Sequence, residues 1–246
     1  MSAENPPRVL TECRDGVLVA TLNRPERANA LDGGSLTALL ELFSVTALDD
    51  FCSVVVVTGA GRHFCAGADV KAYPNEPDAM SLRKGFHPVV AAMMQLDKPI
   101  IAAVNGSVSG GGLGLFLAAD VRIMGDTAQL LPSWIKLGLV PDLGASWLLP
   151  RMMGAPAFDW LISGQAMPAQ RALELGLANE VVASETVLTR CLARAREFAS
   201  KPALAIALTK RLIRESWDRN YASHLDAEAA MQDLAAARLT QPPKTN

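Results

Sequence analysis

The chain has 246 residues, half of them apolar, and a formal net charge of −2; this is long enough for one large α/β domain or two small ones around a sizeable core. No run of Lys and Arg exceeds two residues, which argues against nucleic acid or an anionic membrane as the main partner and leaves any anionic ligand to be held by local charge. The longest apolar runs, PIIAAV and GLGLFLAA, fall well short of a membrane span, and MSAENPPRVL lacks a charged segment followed by an apolar one, so a cytoplasmic protein is expected.

In chain order, RVLTECRDGVLVATLN predicts two strands joined by a turn at Asp15-Gly16, the dipeptide that two-residue hairpins favour. SLTALLELFSVTAL has leucines at helical spacing, and SVVVVTG reads as a buried strand ended by glycine. A loop rich in Gly and Cys, GAGRHFCAGADV, and a charged, Pro-containing stretch, KAYPNEPDAM, lead to a helix opening at HPVVAAMMQL. Pro88 suits a first helical turn, which places His87 at the cap. KPIIAAVNG is another strand into a turn, followed by SVSGGGLGLFLAAD, where Gly110 to Gly112 enter a buried helix that ends near Ala119, and then by a short strand, VRIMG. From Ser133 onward the pattern is mostly helical, over 155–163, 168–175, 185–199, 203–217 and 222–238. Strands alternating with helices, then helices alone, predict an α/β core over 1–190 and a helical C-terminal region over 191–246. Cys13, Cys52, Cys65 and Cys191 are far apart, with no CxxC and no His at ligand spacing, so reduced thiols are expected and no metal site.

A strand-turn-Gly-helix arrangement occurs twice, at VVVVTGAGRHFCAGAD and IIAAVNGSVSGGGLG. A helix N-terminus carries unsatisfied N–H groups and a partial positive charge, so small residues at its entry make a site for negative charge. The same glycines also permit tight packing of helix on sheet, and the residues alone leave both uses open. Neither stretch is GxxxxGK[ST], and the first lacks the spacing of a dinucleotide fingerprint.

Together with VATLNRPERANAL, KLGLVPDLGASWLLPRMMG and ARAREFASKPALAIALTKRLI, these stretches resemble the enoyl-CoA hydratase/isomerase (crotonase) superfamily over nearly the whole chain. The resemblance implies a spiral of ββα units with C-terminal helices that form a homotrimer or a dimer of trimers. It implies an acyl-CoA thioester as substrate, with no cofactor beyond the CoA moiety, in chemistry of the kind found in fatty acid metabolism. It places two backbone N–H groups, those of Ala68 and Gly111, on the thioester oxygen as it becomes an enolate. Losing one such donor costs roughly 3 to 4 kcal/mol in other enzymes.

Hydratases of the family use two glutamates to add water across a conjugated double bond, and the matching positions here are Gly114 and Trp134. Neither side chain transfers a proton usefully. The acidic residue left in this segment is Asp142, whose apolar neighbours Leu139, Val140, Leu143 and Trp147 would raise its pKa if it is buried. From the residues alone it reads first as a helix cap bonding the amide of Gly144 or Ala145. The resemblance matches Asp142 to the base of double-bond isomerases, which shuttles a proton between C2 and C4 of a 3-enoyl-CoA. Trp134 would then shape the acyl pocket.

Three alternatives remain. His87, Trp134 and Asp142 also match the base, tryptophan and nucleophile of the family's 4-chlorobenzoyl-CoA dehalogenase, although Ala68 stands where that enzyme has an aromatic residue and the loop from Asp69 to His87 is shorter. Ordinary hydration is the second alternative, and a non-catalytic binding module is the third. By resemblance, Arg24, Arg27 and Ala28 together with Ala66, Val70 and Lys71 flank the adenine and phosphates of CoA. The family's usual last helix has no counterpart after AAARLTQPPKTN, which implies an adenine end that is more open, or covered by a neighbouring subunit.

Overall fold

The computed structural model describes residues 6–72 and 79–239. The first residues, most of the Pro-containing stretch and the last residues, on which the expected open adenine end rests, lie outside the described residues. β1 (Val9–Arg14) and β2 (Val17–Leu22) form the antiparallel hairpin, with φ of +53° at Asp15 and +76° at Gly16, the left-handed pair that a tight hairpin turn requires. α1 (Gly33–Leu48) is capped by Asp32, whose carboxylate accepts from the Ser35 amide at 2.8 Å. β3 (Val54–Gly59), β5 (Ile100–Val104) and β7 (Val121–Gly125) continue a six-stranded sheet in the order β1-β2-β3-β5-β7-β10, parallel beyond the hairpin, with β10 (Glu180–Val182) at its edge.

The uninterrupted apolar runs of β3 and β5 follow from burial on both faces. Val55, Val57, Ile100 and Ala102 face the main core, while Val54, Val56, Ile101 and Ala103 face Val187, Cys191 and Ala195 of α8 (Val187–Ala199). Residues 190 and 191 are consecutive positions of α8, so the helix that spans the expected core boundary is itself packed on the sheet. Cys13 is exposed, the other three cysteines are buried, and all four are free.

A second, smaller sheet has the order β4-β6-β8-β9: β4 (His63–Cys65), β6 (Ser107–Ser109), β8 (Gln129–Leu131) and β9 (Met167–Pro168). β9 and β10 lie in the part of the chain expected to be mostly helical, at the start of and after the expected helix 168–175; strands of two and three residues are too short to display a period of two.

His87 does not cap a helix. α2 (Ala79–Ser81), a π turn over Leu82–Phe86 and α3 (His87–Gln95) follow without a break, and His87 has helical φ and ψ. Its N–H bonds the Leu82 carbonyl, five residues back. Pro88 supplies the reason: it has no N–H for the carbonyl four residues earlier and its ring would clash there, and the wider turn relieves both.

The glycine run enters α4 (Gly112–Ala118), every residue of which is buried. α5 (Ala145–Met153), α6 (Pro156–Ser163), α7 (Ala169–Glu174), α9 (Ala203–Glu215) and α10 (Tyr221–Leu239) complete the chain. α9 is held to the body by Lys210, which bonds the Lys98 carbonyl and Asp120, each at 2.5 Å, and by Arg214 on Asp120 at 3.0 Å. Among the described residues no helix is long and apolar enough to cross a membrane.

Candidate active site

Three strands of the small sheet, β4, β6 and β8, run parallel, so their C-terminal ends lie along one edge. β4 leads into Ala66-Gly67-Ala68, β6 into Gly110-Gly111, and β8 into Ser133-Trp134. The two glycine stretches are thereby placed side by side. Gly67 allows the approach: its φ is +90°, and a Cβ there would stand 2.7 Å from the Ser109 carbonyl oxygen and 2.8 Å from the Gly111 nitrogen. A Cβ built on Gly111 would stand 3.7 Å from the Ala68 nitrogen, so the two amides are neighbours.

The amides around them are occupied. Gly67 N–H points to Cys65 Sγ at 3.5 Å, Asp69 N–H donates to the Leu31 carbonyl at 3.0 Å, and Gly110 N–H donates to the Leu131 carbonyl at 3.1 Å. Among the described residues, no acceptor meets the N–H of Ala68 or Gly111. Both residues line a cavity of about 340 Å³, together with Ala66, Gly110, Trp134 and Asp142. Two unpartnered amides on one cavity wall form a site for an oxygen that gains charge.

Asp142 faces this cavity. Its carboxylate does not cap α5, which begins after Gly144 with no side-chain cap; it accepts from Trp134 Nε1 at 2.9 Å. The indole is itself buried, so the hydrogen bond holds the carboxylate against a rigid partner. Burial pushes the Asp142 pKa up, and the Trp134 bond, the residue's own amide and the charge of His87 oppose this without reversing it. His87 is exposed on the first turn of α3 and does not line the cavity.

At the position of the first hydratase glutamate, Gly114 has no room for a side chain. A Cβ there would stand 2.3 Å from Leu143 Cβ and 2.8 Å from the Leu143 carbonyl oxygen. The second position is the buried Trp134. Asp69 also lines the cavity, but Arg24 Nη2 donates to it at 2.8 Å, and this bond holds its carboxyl below the usual range.

Arg27, Val70 and Lys71 line the cavity mouth as exposed residues. Arg24 does not: it is 8% exposed, and its guanidinium is engaged by the Ala30 carbonyl at 2.6 Å and by Asp69. Its charge braces the loop behind Ala68 through Asp69. Ala28 is likewise outside the lining and turns the backbone with φ of +49°. Leu82 and Phe86 of the π turn, and Leu137 and Leu139, supply apolar wall that the sequence reading did not assign. A larger crevice of about 500 Å³ lies under α9, but Asp120 in its wall is engaged by Lys210 and Arg214, and it has neither the amide pair nor Asp142.

Parallel strands delivering loops to one edge bring two amides that meet no acceptor among the described residues beside a carboxylate, an arrangement that can stabilise charge developing on an oxygen, and the comparisons specify the family. Residues 12–240 match the family model described as enoyl-CoA hydratase/isomerase. The chain is 35% identical to the Escherichia coli 1,2-epoxyphenylacetyl-CoA isomerase over 92% of its own length and 89% of that protein's. It is 33% identical to the Arthrobacter 4-chlorobenzoyl coenzyme A dehalogenase-1, over 87% and 80%. The crystal structure of the Bacillus anthracis enoyl-CoA hydratase superposes with a TM-score of 0.87 at 30% identity, over 92% of this chain and 90% of that one. The chain belongs to the enoyl-CoA hydratase/isomerase (crotonase) family and is an acyl-CoA enzyme with the fold of that family.

Proposed function

We propose that the enzyme shifts a double bond, converting a 3-enoyl-CoA to the conjugated 2-enoyl-CoA with Asp142 as its only base. Asp142 removes a proton from C2, the electron pair moves through the carbonyl, and the resulting dienolate oxygen is met by the N–H groups of Ala68 and Gly111. The same carboxyl, now protonated, returns a proton at C4, and the double bond settles between C2 and C3. The observation that carries this reading is one carboxylate of raised pKa beside two unpartnered amides, with the second carboxylate of the cavity held by Arg24. Hydration needs one group to deliver water and another to handle the α-proton, and the positions those groups would hold are Gly114, packed against Leu143, and Trp134.

One observation favours a second reading. The Trp134–Asp142 hydrogen bond and the proximity of His87 suit a carboxylate nucleophile with a separate base, as in dehalogenation of an aryl-CoA. Isomerisation asks only for one carboxyl that carries a proton, whereas dehalogenation also needs a base at the reacting ring, and His87 does not line the cavity, so isomerisation is preferred. The test is to offer the purified protein a 3-enoyl-CoA, a 2-enoyl-CoA and 4-chlorobenzoyl-CoA, and to follow conjugation, hydration and chloride release. Conjugation as the dominant activity supports the proposal. Chloride release that is lost in His87→Ala replaces it with the second reading, and hydration as the dominant activity overturns it.

A further inference from the structure

We propose that Leu143 is a positioning residue, which locks the Asp142 carboxylate to the helix that supplies the Gly111 amide and occupies the space a second proton-transferring side chain would need. The proposal rests on the isomerase reading for its consequence in catalysis, and on geometry alone for the lock itself.

Leu143 is an apolar residue with left-handed backbone, φ +49°, and it is 1% exposed. A bulky L-residue adopts that conformation only where its surroundings hold it there. What holds it is α4. Cβ atoms built on Gly111 and Gly114, one turn apart, would stand 3.5 Å from Leu143 Cδ1 and 2.3 Å from Leu143 Cβ. The leucine therefore lies along a groove that exists because both helix positions lack side chains. Gly144 follows with φ of +80°, so two successive left-handed residues turn the chain sharply between Asp142 and α5. The turn is closed by the Ala145 N–H on the Asp142 carbonyl at 2.9 Å, anchored along α4 by the Leu143 side chain, and tied to Trp134 at the Asp142 carboxylate.

Gly111 supplies an oxyanion amide at the start of the same helix. Base and amide are thus fixed relative to each other through a contact of a few ångströms and not through the sheet. A 1 Å misplacement in such a pair costs about 100-fold in rate. The lock also explains why no acidic side chain stands at 114, since the groove that Leu143 fills is the room it would need.

The test is a double-mutant cycle of Leu143→Gly, which suits the backbone and removes the anchor, with Gly114→Ala, which evicts the leucine, read alongside Leu143→Met. Thermal unfolding identifies any variant that fails to fold, and Leu143→Gly keeps the test open should Gly114→Ala be one. Leu143→Gly is expected to lower kcat for the 3-enoyl-CoA about 100-fold with KM within about 3-fold, and Leu143→Met to recover most of the loss. The double variant is expected to lose no more than the worse single one, because both act through the same turn. A second readout needs no turnover: carbon-13 NMR titration of the Asp142 carboxyl, assigned by Asp142→Asn. Asp142 accepts from the Trp134 indole, with Asp69, Lys71 and Arg27 around the cavity and the exposed His87 outside it, and its titration is expected to fall toward the ordinary range in Leu143→Gly as water reaches it. An unchanged titration together with wild-type kcat, or additive losses in the cycle, overturns the proposal. Should the wild type not act on 3-enoyl-CoA at all, the isomerase reading fails and the titration alone decides for or against the lock.

Discussion

Arg24 donates to the Ala30 carbonyl and to Asp69 from a position only 8% exposed, so removing its guanidinium leaves a buried carboxylate without its partner. Breaking one side of a buried pair costs about 3–5 kcal/mol, and Arg24→Met is expected to lower stability to urea by an amount of that order. The sign with pH follows from Asp69. Its folded pKa lies below the unfolded one, so the pair contributes fully above about pH 4 and loses its contribution as the pH falls through the lower folded value. In Arg24→Met that acid-side loss shrinks to what the Lys71 and Ala72 amides sustain, which unfolding curves recorded from neutral to acid pH would register. Family resemblance places this arginine, with Arg27 and Ala28, beside the adenine and phosphates of CoA by motif position alone; a sequence does not show that Arg24 turns inward while Arg27 points out. Asp142 was legible as the remaining acid, but whether it caps or catalyses depends on a hydrogen bond from Trp134, eight residues back across a turn.

At the scale of elements, the site is made by β4, β6 and β8, each three residues long. The longer elements appear where expected, the β1–β2 hairpin and the C-terminal helices from their patterning and β3 and β5 as uninterrupted apolar runs, whereas the strands of the small sheet have too few residues to show either. The glycine stretches were visible as a repeated pattern; their pairing side by side was not, because it depends on strand register. Gly67 tests that pairing. In Gly67→Ala the new methyl must displace the Ser109 carbonyl or the Gly111 amide, since it would otherwise lie within 2.8 Å of both, and φ of +90° strains any L-residue. The expected result is a loss of about 100-fold to 1,000-fold in kcat, as for removal of one oxyanion donor, with a smaller change in KM. An unaltered kcat would place the oxyanion elsewhere. The π turn before α3 is a related case: Pro88 announces a helical first turn, but the chain enters from an existing helix and absorbs the proline by widening.

Across the whole molecule, two layers of core meet on one sheet, and α9 is tied to the body by a small charged cluster. Lys210 bonds Asp120 and the Lys98 carbonyl at 7% exposure, and burial pulls its pKa down to about 8. Between about 8 and the ordinary 10.5 the unfolded chain therefore holds a proton that the native protein has released, so this group makes stability rise with pH across that window. Lys210→Met removes the rise, and the difference in unfolding free energy between wild type and variant is expected to move toward the wild type as the pH increases from 8 to 10.5. A difference independent of pH would mean that Lys210 titrates like an exposed lysine.

The account as a whole depends on one carboxylate working beneath two backbone amides. The most direct measurement is the pH profile of kcat/KM for conjugation of a 3-enoyl-CoA, by the wild type and by Asp142→Asn. The base acts when deprotonated, so the wild-type profile is expected to rise with pH through a single acidic limb. Burial places that limb above the ordinary aspartate value of about 3.9. Asp142→Asn is expected to be slower by about 100-fold or more and to lack the limb. An Asp142→Asn enzyme that keeps the wild-type rate, or the same limb, would contradict the account.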